Sequence, residues 1–127
     1  MKNPNPILNL ANAQTLYSLS KLKKACNGDP GFMKKMTQLF IQQMPVAVVD
    51  IRDSFGNKDF RKMKDTAHRI KPTLENLCVD SLYHTIRNIE GFSSQETSKL
   101  ANEILQLERT MSAVIIELKR ELDSIAS

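Results

Sequence analysis

The sequence predicts an all-α protein, an up-and-down four-helix bundle with a short additional N-terminal helix. Three observations carry this. Apolar residues recur at alternating spacings of three and four along most of the chain, the period of a helix face. Only four glycines and five prolines occur in 127 residues, too few for an all-β chain rich in turns. Every glycine also falls where one apolar stripe ends or the next begins, at a predicted helix boundary.

Residues 1 to 14, with two early prolines and several asparagines, read as an irregular arm before a single domain over 15 to 127. Leu16, Leu19, Leu22 and Ala25 then recur every three residues, predicting a short first helix that ends near Gly28. Asp29-Pro30 opens the second helix, an N-cap oxygen followed by a proline whose missing N–H is not needed there. Its stripe is Met33, Met36, Phe40, Met44, Val48, Ile51 and Phe55, with Pro45 expected to bend or split it. Gly56-Asn57 marks the next boundary, with Asn57 as cap of a third helix running to about Leu77. Asp80 is placed to cap a fourth, carrying Leu82, Ile86 and Ile89 to Gly91. Ser93-x-x-Glu96 has the capping-box pattern that opens a fifth helix. Leu100, Ile104, Leu107, Met111, Val114, Leu118, Leu122 and Ile125 give that helix a continuous apolar stripe. These stripes, methionines included, read as packing core.

Composition narrows the function classes. Aromatic residues are 6% and tryptophan is absent, so stacking platforms for single-stranded nucleic acid are scarce. Two cysteines, Cys26 and Cys78, make neither a disulfide framework nor a four-ligand zinc site, and a reduced, cytoplasmic protein is expected. No basic start leads into a long apolar run with a small-residue cleavage site, so neither a signal peptide nor a membrane span is expected. The initial Met and the arm suggest a free-standing protein, and nothing in the sequence asks for more than a monomer. The net charge of +4 is unevenly placed: residues 1 to 71 carry 13 basic and 5 acidic side chains, residues 72 to 127 carry 5 and 9. Residues 57 to 71 alone hold six bases against two acids, a basic patch suited to an acidic partner.

That patch surrounds a histidine. At about 100° per residue, Phe60, Met63, Ala67, Ile70, Leu74 and Leu77 share one face of the third helix. His68 falls on the other, with Arg61, Lys64, Lys71, Pro72 and Glu75 within about 60° of it. Lys71, one turn on, is placed to reach an anion attached to the imidazole. Pro72 lacks the N–H that would bond the His68 carbonyl, so the helix is expected to loosen at the histidine. His84 has no lysine three residues later and reads as a surface or half-buried polar side chain. Cys26 and Cys78 read as packing or boundary thiols.

The stretch Ala67-His68-Arg69-Ile70-Lys71-Pro72-Thr73-Leu74, continuing to Leu77, resembles the signature of histidine-containing phosphotransfer domains. Their pattern is alanine, histidine, any residue, leucine, lysine, glycine, serine and a small residue, closed by a leucine-glycine pair. Leu82, Ile86, Ile89 and Glu90 fall in register with the family's leucine, small or apolar residue, leucine and glutamate. Asp29-Pro30-Gly31-Phe32 through Phe40 is similar to the start of the family's second helix. The resemblance spans about residues 15 to 122, and its motif-bearing part runs from 67 to 90. Two positions depart from it: Pro72 and Cys78 stand where the family has glycine. Neither change removes a group the chemistry needs.

The resemblance implies a four-helix bundle that relays a phosphoryl group between receiver-domain aspartates in two-component signalling, with no kinase activity of its own. His68 would be the phospho-acceptor and Lys71 would neutralise the phosphoryl oxygens. Thr73, where the family often has serine, would hydrogen-bond nearby, and Glu90 would orient the imidazole from the adjoining helix. Arg61, Lys64, Arg69 and Glu75 would line the surface presented to response-regulator receivers, with a hybrid histidine kinase as a further candidate partner. No cofactor is expected in this chain, because the metal ion of the transfer would lie in the receiver's acidic pocket. Two other function classes remain: a helical adaptor that docks signalling partners without transfer, and a basic helical nucleic-acid binder. The adaptor would not need His68, and the nucleic-acid binder would show steeply salt-dependent binding.

Overall fold

A computed structural model of the chain describes residues 16–93 and 97–125, apart from the side chain of Ile125. The predicted arm, and Glu96 of the predicted capping box, lie outside these residues. The described residues are helical, with no strand among them. Five α-helices follow in order: α1 (Ser20–Ala25), α2 (Pro30–Gly56), α3 (Phe60–Asn76), α4 (Tyr83–Glu90) and α5 (Thr97–Ile125). A single 3₁₀ turn, Asp80–Leu82, precedes α4. The four longer helices touch in a closed order: α2 packs on α3 and α5, and α4 packs on α3 and α5.

Local chemistry sets most boundaries. Asp29 caps α2 by accepting from the Gly31 N–H at 3.1 Å, with Pro30 at the first helical position. Pro45 does not split α2, which runs unbroken for 27 residues. Asp59, not Asn57, caps α3, accepting from the Lys62 N–H at 3.2 Å. Asn57 instead ends α2. Asp80 caps no α-helix: it begins the 3₁₀ turn, and α4 starts three residues later with no side-chain cap. The first helix is also shorter than its leucine spacing suggests. Leu16 and Leu19 precede it, and Ala25 is exposed.

Glycine does not build the turns in the way its positions suggest. After α1, α2 and α3 the left-handed residues that are not glycine are Asn27 (φ 53°), Lys58 (φ 59°) and Cys78 (φ 56°); only after α1 does a glycine, Gly28 (φ 75°), share the turn. Each sits in a Schellman motif. After α3, for example, Val79 N–H donates to the Leu74 carbonyl and Cys78 N–H to that of Glu75, both at 3.0 Å. Lys58 and Asp59 make the same pair of bonds to Phe55 and Ser54. The hydrogen bonds to otherwise unpaired end carbonyls outweigh the Cβ clash of a non-glycine residue.

The core draws on every long helix. Ile51, Met63, Leu77, Leu82, Ile89, Leu107, Val114 and Leu118 are fully or almost fully buried. At one end the rings of Phe55, Phe60 and Phe92 close the turns, with Phe60 and Phe92 centroids 4.9 Å apart. At the other end the segment leading into α1 closes the bottom. Ser18 N–H donates to the Leu77 carbonyl at 2.7 Å, and the Tyr17 hydroxyl donates to Glu121 on α5. Burial, and then the Glu121 acceptor, push the Tyr17 phenol well above its ordinary range. No helix among the described residues is long and apolar enough to cross a membrane.

Candidate functional site

The buried face of α3 fixes where His68 points. Met63, Ala67, Ile70, Leu74 and Leu77 are buried against the other helices. His68 therefore stands on the outer side of α3, with 78% of its side chain exposed. It leans toward α4, whose last residue is Glu90.

Glu90 ties the site together. Its Oε2 lies 2.6 Å from His68 Nδ1, and its Oε1 accepts from Lys71 Nζ at 3.2 Å. Burial alone would raise the Glu90 carboxyl. The hydrogen bonds from His68 and Lys71 outweigh that and hold it below the usual carboxylate range. An ionised carboxylate only accepts hydrogen bonds, so the proton of this contact belongs to Nδ1. In the neutral ring the lone pair then resides on Nε2. One buried-side carboxylate thus selects the tautomer that presents a nucleophilic nitrogen to solvent.

The helix is not broken at this point. Pro72 lies inside α3, which continues to Asn76, and its ring is exposed one turn beyond His68. Lys64 is half-buried, and Glu75 is exposed. Thr73 is half-buried, and among the described residues no hydrogen bond joins its hydroxyl to the His68–Glu90–Lys71 cluster. Five residues on from His68, it is turned about 140° away around the helix. Arg61 and Arg69 instead line an open depression with Asp59, Lys62, Asp65 and Thr66. The structure therefore brings together His68, Lys71 and Glu90, and leaves the other candidates around them. Cys26 is buried, Cys78 half-buried, and both are free thiols. His84 is exposed, edge-on to the Tyr83 ring. No group of three His, Cys, Asp or Glu side chains among the described residues is arranged to hold a metal ion.

Two features escaped the sequence. Lys71 points at Glu90 and is not free, a contact between helices that no local spacing reveals. The Arg87 guanidinium lies over the Tyr83 ring, 5.6 Å from its centroid. Their separation of four residues is the one signal that was available for that pair.

No protein-family model, curated protein or solved structure matches this chain.

Proposed function

We propose that the chain is a phosphorelay intermediate, an up-and-down four-helix bundle that carries a phosphoryl group on His68 between receiver-domain aspartates of a two-component system. The observation that supports this best is the pairing of His68 Nδ1 with the Glu90 carboxylate, which leaves the lone pair on Nε2 of a largely exposed ring while the Lys71 ammonium is held on the same carboxylate. In the forward step Nε2 attacks the phosphorus of an aspartyl phosphate in line. The P–O bond to the aspartate breaks, the carboxylate leaves with the electron pair, and an N–P bond forms. The proton stays on Nδ1, where Glu90 balances the positive charge that the ring acquires. Onward transfer is the reverse: an aspartate oxygen attacks phosphorus, and the N–P electron pair returns to Nε2. Such a transfer asks little covalent chemistry of the protein beyond position and charge. Lys71 supplies the charge by turning from Glu90 to the phosphoryl oxygens. The basic surface of α3 favours encounter with an acidic receiver pocket.

Phosphoryl transfer from a phosphorylated receiver domain, run beside the His68→Gln variant, tests this. Acid-labile, base-stable label on the wild type alone is the expected result. Label on both proteins, or on neither across a panel of receivers, sinks the proposal. A second reading, an adaptor that docks receivers without transfer, is favoured by Pro72, whose exposed ring stands one turn from His68 on the same helix face where the resembled family has glycine. Receiver binding with no label on the wild type would select it.

A further inference from the structure

The imidazole of His68 does not stand over α3 alone. Its bond to Glu90 draws it over the seam between α3 and α4. Any macromolecule that reaches Nε2 must therefore cover part of α4. A protein interface of standard size covers about 800 Å² on each partner, a patch reaching roughly 15 Å from its centre. Along α4, Arg87 lies only ~4.5 Å from Glu90 and Tyr83 only ~10.5 Å, at 1.5 Å of rise per residue. Tyr83, Arg87 and Glu90 also fall on one stripe of the helix, separated by four and three residues. Both ring and guanidinium thus lie inside the footprint.

Their chemistry suits a contact surface. Tyr83 is 44% exposed, one of the few large hydrophobic side chains among the described residues left open to solvent. Arg87 is α4's one arginine or lysine, and it is stacked on that ring. Stacking limits the guanidinium's rotamers, so less freedom is lost when an anionic partner binds it. Tyrosine and arginine are also the residue types that most often dominate interface energetics.

We propose that Tyr83 and Arg87 form a second, α4-borne half of the docking surface for the receiver domain, with Arg87 engaging an acidic side chain on the rim of the receiver's phosphorylation pocket. This rests on the relay reading of His68. The occupant follows from continuity with that site and from charge: Arg87 extends the cationic surface of Lys64 and Lys71 across the seam. Tyr83 and Arg87 take no part in the transfer itself.

Two donors separate docking from chemistry. A small phosphoramidate donor labels His68 without covering α4: its P–N bond breaks, ammonia leaves, and the N–P bond to Nε2 forms. A phosphorylated receiver must dock. For Arg87→Glu and Tyr83→Ala, with folding checked by circular dichroism, phosphoramidate labelling is expected to match the wild type. The receiver concentration at half-maximal rate should rise about tenfold for Arg87→Glu, with the maximal rate little changed, as for a charge at an interface rim. Arg87→Lys, which keeps the charge but not the planar stack, should fall between. An unchanged receiver dependence in Arg87→Glu overturns this inference and leaves the relay reading intact. Loss with both donors overturns it too, because Arg87 would then act on the histidine. No label on wild-type His68 from either donor overturns the relay reading itself.

Discussion

Glu90 holds His68 through one carboxylate oxygen and Lys71 through the other, at 2.6 and 3.2 Å. The proposed phospho-acceptor and the cation proposed to neutralise its phosphoryl group are therefore both anchored to α4, although both belong to α3. On the relay proposal Glu90 is a positioning residue that also acts through its charge, and its two effects can be measured separately.

The first effect is on stability. The Glu90 carboxyl is held below the usual carboxylate range in the folded protein, against burial that would raise it. A carboxyl whose folded value is depressed binds protons more weakly than in the unfolded chain. Its contribution is present above the unfolded value and is lost as pH falls through the lowered folded value. Urea unfolding should find Glu90→Gln less stable than wild type at neutral pH. The gap should narrow steadily as the solution is acidified through the carboxylate range. A gap that is constant with pH would mean that the side chain contributes by packing alone.

The second effect is on the tautomer. In Glu90→Gln the side chain can still accept from Nδ1, but it no longer balances a positive ring. Nitrogen NMR of His68 should show the proton on Nδ1 in the wild type. In Glu90→Ala the two tautomers should mix, and phosphoryl transfer should slow. A wild-type ring carrying its proton on Nε2 would contradict the assigned roles.

Lys71→Met removes the cation while keeping much of the stem. Accumulation of label from a receiver is expected to slow on the order of 100- to 1,000-fold, the loss typical of one charge-stabilising group. Because the Lys71–Glu90 pair is partly exposed, its loss should change stability by no more than about 1 kcal/mol. Equal labelling rates in variant and wild type would remove Lys71 from the chemistry.

Lys58, exposed and left-handed at φ 59°, is where a single change should stabilise the fold. Lys58→Gly relieves the Cβ clash and is expected to add about 1 kcal/mol, seen as a higher urea midpoint at unchanged slope. Cys78→Gly should gain less, since the half-buried thiol gives up contacts. A lower midpoint for Lys58→Gly would show that its stem packs on the turn.

Thr37 presents the opposite case. It is fully buried on α2, and its hydroxyl has no hydrogen-bond partner among the described residues. Thr37→Val keeps the shape and removes the unpaired group, so it should be neutral or stabilising by about 1 kcal/mol. Marked destabilisation would reveal a bond to that hydroxyl in solution.

Much of this arrangement was legible in the sequence because it is periodic. The face of α3 that buries Met63, Ala67, Ile70 and Leu74 follows from the helix period, and so does the exposure of His68. What was less legible depended on competition between neighbours. Asn57 and Asp59 are both good caps, and the Schellman turn through Lys58 decided between them by placing Asp59 where its carboxylate reaches Lys62. Gly56 looked like the turn residue, yet it lies in the last turn of α2 while Lys58 takes the left-handed position. The contacts between Tyr17 and Glu121, and between Lys71 and Glu90, span 104 and 19 residues. Such contacts come from packing whole helices, which no local pattern encodes.

Pro72 and Ser18 together divide α3 into two parts that should open independently. The final carbonyl, that of Leu77, is held by Ser18, and that of Glu75 receives Lys21 at 3.5 Å. The last turn is thus fastened to the segment around α1, and it is expected to fray when that short helix lifts. Fraying that climbs α3 from this end meets a missing rung at Pro72, which has no N–H to give the His68 carbonyl. Amide exchange from Thr73 to Leu77 should therefore follow the local opening of α1. The amides before His68 should exchange only with the opening of the core. The histidine would then sit on the slowly exchanging side of that divide, insulated from the opening of α1.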